Sequence, residues 1–295
     1  MRQTTSVGLR IIGLAVVQFI CFAVAGSMVA RFGAPAPAEA GNTAAILLLV
    51  CFVNSVVLAH LVLRSRWSGW RLMATVAFVY YGVTTFMSQI ESAVFLTQLP
   101  PGMVTVLFYS GLVIAIPVGI FSVLILGRRK APLGEAAPSS RLVMPAGEWA
   151  WKLGVISLVY VVLYFSFGYY VAWQNPALRA YYHGTDTGHF VTQLQSTFTA
   201  TPWLLPFQVL RALLWTLIAL PVVRMLKGGW PETSLSLGLL FGAVMTGPLL
   251  LPNAFMPETV RISHLMEIAP SNFLFGGLVG FLLSPRRSVD STGSN

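Results

Sequence analysis

The sequence predicts an all-α membrane protein: a polytopic bundle of about eight transmembrane helices with both termini in the cytoplasm. Two observations predict this class. The 295 residues are 56% hydrophobic and only 9% charged, against about 25% charged residues in ordinary soluble domains. The apolar residues also come in blocks of about 20, the length that a helix needs to cross about 30 Å of hydrocarbon. A soluble fold could not cover its surface with so few charges.

The first half of the chain contains four of these blocks. They cover residues 11–30, 44–63, 72–96 and 103–126. The first block could belong to a cleaved signal peptide, because an alanine-rich stretch with prolines follows it. Its apolar run is longer than the roughly 7–15 residues of a signal peptide, which favours a retained helix. Pro117 lies inside the fourth block and predicts a kink there.

The second half repeats this arrangement after a linker that contains Pro132, Pro138 and Pro145. Its blocks cover residues 152–173, 203–223, 234–251 and 259–283. The longest outer loop is predicted at 174–201 and is polar and aromatic. Residues 288–295 are predicted to form a short disordered tail. No loop is long enough to bury a core of its own, so residues 1–287 are predicted to form a single transmembrane bundle.

Basic residues give the expected orientation. With both termini in the cytoplasm, only Arg31, Arg179 and Arg261 fall outside, and Arg211 lies within the sixth block. Every other Lys and Arg falls inside, as the positive-inside rule requires. The sequence therefore predicts a multi-pass protein of the bacterial inner membrane.

The two halves, 1–130 and 150–287, could be related by duplication. Both carry a basic turn with tryptophan between their second and third helices, at 64–70 and 224–230, and both fourth helices end in Arg-Arg. Four helices per unit would give parallel rather than inverted repeats. The positive-inside rule alone also produces basic turns of this kind, so both explanations stay open.

The lipid bilayer is the expected partner of the apolar helices, and a small molecule, an ion or a lipid is a candidate ligand. The net charge of +9 lies where topology requires it, so it does not indicate nucleic acid. Cys21 and Cys51 lie inside apolar blocks, with no disulfide framework and no metal-ligand spacing. No cofactor is expected.

Small residues recur every four positions on the last two helices. Gly238, Gly242 and Thr246 do so on the seventh helix, and Gly276 and Gly280 on the eighth. This spacing lets helix backbones approach closely. We therefore predict tight packing at both faces rather than a ligand site.

The last apolar block carries an unusual number of polar residues. Its second half is rich in glycine, but its first half contains Arg261, His264, Glu267, Ser271 and Asn272. Ionisable groups cost roughly 2.5–3.5 kcal/mol each at the centre of a spanning helix, so they are a functional hypothesis by default. His264, Glu267 and Ser271 have the spacings that place side chains on one helix face.

Two further charges lie within predicted spans. Arg211 is about 14 Å along the sixth helix at 1.5 Å per residue, and so near mid-membrane. Glu91 lies in the outer part of the third helix. Glu267 is predicted to lie deeper than Glu91, so we predict an Arg211–Glu267 pair, with Glu91 as the next choice. With His264, Ser271 and Asn272, these residues predict a polar, outward-facing intramembrane cavity that binds a ligand or relays protons.

The outer loop brings His183, Asp186 and His189 into the seven residues 183–189. Together with His264 and Glu267 they offer the ligand types of a zinc or manganese site. Their spacing matches no zinc motif, and glycine-flanked loop histidines are often simply solvated. No metal site is therefore predicted.

Three functions stay open, and a small-ligand or ion-coupled transporter is the best interpretation. It is favoured by the charge at mid-membrane and by prolines that could interrupt helices, namely Pro117, Pro221, Pro248, Pro252 and Pro270. The first alternative is a membrane-embedded enzyme acting on a lipid or envelope substrate, because the titratable groups cluster on one side and Glu267 could orient His264 as a general base. Hydrolase and phosphate-loop motifs are nevertheless missing. The second alternative is a structural or assembly protein whose charges only hold helices together.

Overall fold

The fold is described from a computed structural model of the chain. The structure describes residues 2–34, 41–96, 99–130, 141–184, 188–253 and 255–284. Asp186 and the predicted tail at 288–295 lie outside the described residues, as does most of the linker after Lys130. Every regular element within these ranges is helical, which confirms the all-α class.

The helices follow the predicted blocks closely. In the first half they are α1 (Arg2–Arg31), α2 (Thr43–Leu63), α3 (Gly69–Tyr81), α4 (Met87–Phe95) and α5 (Met103–Ile125). In the second half they are α6 (Ala146–Phe167), α7 (Pro176–Tyr181), α8 (Phe190–Ala200), α9 (Leu204–Met225), α10 (Trp230–Leu239) and α11 (Glu258–Leu283). The short helices α7 and α8 lie in the predicted outer loop.

Among the described residues, seven helices are long and apolar enough to cross a membrane. They are Ser6–Arg31, Thr43–Leu63, Met103–Ile125, Ala146–Ala172, Leu204–Met225, Trp230–Leu250 and Glu258–Leu283. The multi-pass membrane class is thereby confirmed. The remaining predicted span is a continuous helix over 69–95, about 40 Å long at 1.5 Å per residue. It is less apolar because polar residues occupy its second half, namely Thr84, Thr85, Ser88, Gln89 and Glu91.

The helix over 69–95 nevertheless lies in the core of the bundle. Tyr80, near its middle, is completely buried. At its start the Gly69 amide donates to the Arg128 carbonyl at the end of α5, over 2.9 Å. At its end Phe95 stacks on Trp203 beside the start of α9, with ring centroids 6.0 Å apart. This helix therefore covers the same height as its neighbours.

After α10 the helix changes to a 3₁₀ turn at Gly247–Leu250, which contains Pro248, and elsewhere the hydrogen-bond pattern changes at π-helical turns. Such turns occur at Gly82–Phe86, Gly168–Ala172 and Leu240–Val244. By contrast, α5, α9 and α11 continue past their internal prolines. π-helical turns are often found at functional sites. The turn at Gly82–Phe86 precedes Glu91 along the chain, and Gly168, in the second turn, lies beside the Glu267 carboxylate.

The two basic turns at 64–70 and 224–230 pair with each other. Ser65 and Leu226 form an isolated antiparallel bridge between them. We call the end of the bundle where these turns lie the basic end, and the opposite end, where α7 and α8 lie, the loop end. The turns fasten the two halves of the chain together at the basic end.

Side chains strengthen this closure. Arg64 makes two hydrogen bonds to Glu232, each 2.8 Å long. Arg141 donates to the carbonyl of Val223 over 3.0 Å and also to the carbonyl of Gly228. Charge-assisted bonds of this kind are stronger than bonds between neutral groups, so the basic end is held by several contacts at once.

In both halves the fourth long helix packs against the first and the third. Thus α5 contacts α1 and α3, and α11 contacts α6 and α10. The tight contact predicted for Gly276 and Gly280 is confirmed: a Cβ on Gly280 would lie 2.5 Å from the Ser234 Cα, and one on Gly276 would meet the Leu237 carbonyl. The duplication of 1–130 and 150–287 stays a prediction.

A neutral hydrogen-bond network joins α1, α2 and α3. The Gln18 amide donates to the Ser55 hydroxyl over 2.6 Å. The Tyr80 hydroxyl donates to Gln18 Oε1 over 3.0 Å and accepts from Asn54 over 3.2 Å. All four side chains are buried.

Candidate functional site

An ion pair between Arg211 of α9 and Glu91 of α4 lies inside the bundle. The Arg211 Nη2 is 2.8 Å from Glu91 Oε2, and its Nη1 is 3.2 Å from Oε1. The Arg211 side chain is only 4% exposed and that of Glu91 is 29% exposed. Pairing of Arg211 with an acidic residue is therefore confirmed. The prediction of Glu267 as its partner is wrong.

The directions of the side chains explain this correction. In a helix the Cα–Cβ bond tilts toward the N-terminus. Arg211 therefore extends toward the loop end, where α9 begins, and Glu91 extends toward the middle of the bundle, because α4 ends at the loop end. Because α11 also begins at the loop end, Glu267 extends toward that end as Arg211 does. It meets His264, whose Nδ1 lies 3.0 Å from the Glu267 Oε2.

Gln208 completes the surroundings of Arg211. It is fully buried, and its Oε1 accepts a hydrogen bond of 3.0 Å from Arg211 Nη1. The rings of Tyr160 and Phe207 lie 5.8 Å and 6.0 Å from the guanidinium carbon, within the range of cation–π attraction. Sequence reasoning missed Gln208, although its spacing of three residues from Arg211 placed it on the same helix face.

A second polar chain joins Tyr182, His264 and Glu267. The Tyr182 hydroxyl lies 3.0 Å from His264 Nε2, and Nδ1 of the same ring faces Glu267. In the neutral ring the carboxylate favours a proton on Nδ1, so Nε2 accepts from the Tyr182 hydroxyl. Burial, and then the negative charge of Glu91, raises the pKa of Tyr182. Tyr182 was not predicted, because nothing in its local sequence separates it from the other loop aromatics.

The two assemblies lie on helices that pack around Tyr160. The ring of Tyr160 is 5.8 Å from the Arg211 guanidinium carbon. It is also 4.8 Å from the ring of Phe275 on α11, the helix that carries His264 and Glu267. We call the whole group the charged cluster; its members are Glu91, Tyr182, Gln208, Arg211, His264 and Glu267.

Three other predicted polar residues of α11 bond elsewhere. The Ser271 hydroxyl donates to a backbone carbonyl of its own helix, and the Asn272 amide lies 2.9 Å from the Met245 sulfur. Arg261 is buried rather than solvated, and it donates to the Leu251 carbonyl over 2.6 Å. Arg261 thus ties the start of α11 to the preceding loop.

Neither loop histidine belongs to the charged cluster. His183 and His189 are both exposed, and Asp186 lies outside the described residues. Within the part of the chain that the structure describes, no group of three or more His, Cys, Asp or Glu residues could hold a metal ion.

No protein-family model, curated protein or solved structure matches this chain. The chemistry of the charged cluster therefore follows from its own residues. Arg211 is a fixed positive charge, because a guanidinium does not lose its proton in proteins. Glu91, His264 and Glu267 can each exchange a proton. The arrangement can hold an anion and pass protons beside it.

Proposed function

We propose that this protein is an ion-coupled transporter that carries a small ligand across the bacterial inner membrane together with protons. One observation carries the proposal: the Arg211–Glu91 pair and the His264–Glu267 pair, which Tyr182 extends, lie on neighbouring helices of the bundle. Ionisable residues at this depth commonly mark ligand pathways and proton relays.

A purely structural role accounts less well for these charges. Apolar residues in place of a buried ion pair often leave a protein equally stable or more stable, by about 1–4 kcal/mol. This chain also has a neutral way of joining its helices, through Gln18, Ser55 and Tyr80. A charged pair beside a titratable histidine supports a role beyond packing.

The contrast between the two ends of the bundle supports transport. The basic end is held closed by the Arg64–Glu232 pair and by the bridge between Ser65 and Leu226. The charged cluster lies toward the loop end, and its Glu91 side chain is 29% exposed. Alternating access would then require the basic turns to separate while the contacts at the loop end close.

A membrane-embedded enzyme acting on a lipid or envelope substrate is the second candidate. The order of Tyr182, His264 and Glu267 favours it, because a hydroxyl, a base and an orienting carboxylate follow one another as in a nucleophilic triad. The raised pKa of Tyr182 opposes it, because burial disfavours the ionised phenol that would attack. The transporter therefore remains the better proposal.

Proton flux in liposomes tests the proposal. Purified protein would be reconstituted in liposomes that contain a pH-sensitive dye, and succinate, tetraethylammonium or glucose would be added outside. We expect one of these solutes to acidify the interior, and we expect Glu91→Gln to abolish this flux because it removes a proton-exchanging group. Gln18→Leu, which disrupts the neutral network instead, should retain it. Absence of acidification with all three solutes would contradict the proposal.

The proposal includes eight crossings with both termini in the cytoplasm, which requires the helix over 69–95 to span the membrane as well. Single cysteines in place of the exposed Lys130 and His189 would be compared in a background that lacks Cys21 and Cys51. In intact cells an impermeant thiol reagent should label position 189 and not position 130, because the basic end is expected inside. The reverse pattern would refute this orientation.

A further inference from the structure

The guanidinium of Arg211 leaves one of its edges unused. Arginine has five N–H donors. One from Nη1 and one from Nη2 bind the Glu91 carboxylate, and the other from Nη1 binds Gln208. The Nε atom is buried and has no hydrogen-bond acceptor among the described residues. The remaining donors, on Nε and Nη2, share the side edge of the guanidinium.

A second unmatched donor lies one helical turn away. Because Gln208 Oε1 accepts from Arg211, its Nε2 is left to donate, and this atom is also buried without an acceptor in the described chain. Gln208 is 0% exposed and Arg211 is 3% exposed. Buried donors without an acceptor are costly, and more so when they belong to a cation. Both donors therefore lack an acceptor, which an oxygen atom from outside the chain could supply.

We infer that the side edge of Arg211 binds the carboxylate of a small organic anion, while Gln208 holds the opposite side of the guanidinium in place. The Nε–Nη2 edge has the spacing that binds a planar carboxylate through two parallel hydrogen bonds. Glu91 already occupies the other edge, and its negative charge opposes a doubly charged phosphate more than a singly charged carboxylate. The aromatic rings of Tyr160 and Phe207 beside the guanidinium suit a short apolar body on the ligand.

The inference rests on the proposed function at one point only, the identification of the anion as the cargo. A bound carboxylate would give one guanidinium two negative partners. A proton taken up on Glu91 removes the second charge and leaves the end edge of Arg211 hydrogen-bonded to a neutral carboxyl. Anion and proton would thus enter the site together.

Binding to the purified protein in detergent tests the site without transport. Acetate, lactate and succinate would each be titrated against the matching amide, with sodium chloride at equal ionic strength, while the melting temperature is followed. We expect the temperature to rise with at least one carboxylate and with none of the amides, since a ligand that binds only the folded state stabilises it. Arg211→Lys should weaken binding by roughly tenfold or more, because an ammonium has no planar edge.

Two glutamine variants keep the test decisive even if the lysine variant does not fold. Gln208→Leu should weaken carboxylate binding, whereas Gln18→Leu removes an equally buried glutamine from the neutral network and should leave binding unchanged. Equal stabilisation by the amides, or wild-type affinity in both Arg211→Lys and Gln208→Leu, would overturn the inference. Carboxylate binding without proton flux would overturn only the transport proposal. Proton flux with another class of solute, without carboxylate binding, would overturn only the inference.

Discussion

Replacing Glu91 by glutamine is expected to lower the free energy of unfolding by about 3–5 kcal/mol, because it leaves the Arg211 cation without an ionised partner. The Arg211 side chain is 4% exposed, so water cannot solvate the guanidinium, and it cannot lose its proton. Arg211→Met should cost less, since the 29% exposed carboxylate of Glu91 can be solvated or protonated. The double variant should cost much less than the sum, with a coupling of about 2 kcal/mol.

Equilibrium unfolding in mixed micelles would measure all four proteins of this cycle. The matched control combines Arg211→Met with Glu267→Gln, whose carboxylate faces His264 instead. Those two effects should add to within about 0.5 kcal/mol. Additive effects for Arg211 and Glu91, or strong coupling between Arg211 and Glu267, would show that the ion pair is assigned to the wrong residues.

The composition of the charged cluster was largely predictable, but its pairing was not. Arg211, Glu91, His264 and Glu267 are visible in the sequence as ionisable groups within apolar blocks, where each carries a known cost. Depth along a helix was the only coordinate that could be derived for them from the sequence. Depth does not show which helices face each other. The prediction of Glu267 as the partner of Arg211 also took no account of the tilt of the side chains or of His264, three residues before Glu267. Gln208 was missed for a simpler reason, since neutral amides do not stand out in a spanning helix.

The fold was predictable where length and hydropathy alone decide it. Seven of the predicted blocks are apolar helices of spanning length, because a chain with so few charges has few other ways to satisfy its backbone in lipid. The helix over 69–95 shows the limit of this reasoning. Its polar second half faces partners such as Arg211 that only the tertiary structure supplies. The π-helical turns and the bridge between Ser65 and Leu226 depend in the same way on contacts between distant segments.

Replacing Gly280 by leucine is expected to destabilise the protein by about 3 kcal/mol or more, since it overpacks a contact between two helix backbones. A Cβ at this position would lie 2.5 Å from the Ser234 Cα of α10. Backbone atoms cannot rotate away as the end of a long side chain can, so α10 and α11 would have to separate. Gly276→Leu should behave alike, because its Cβ would meet the Leu237 carbonyl.

Gly277→Leu is the matched control on the same helix. A Cβ there has no neighbouring heavy atom within 4 Å among the described residues, and it brings the same gain in helix propensity as the other two substitutions. The melting temperature in detergent should therefore fall for Gly276→Leu and Gly280→Leu and stay near the wild-type value for Gly277→Leu. Alanine at position 280 should already produce much of the loss, because its Cβ alone enters the contact. A wild-type melting temperature for all three leucine variants would mean that α11 presents this face to lipid rather than to α10.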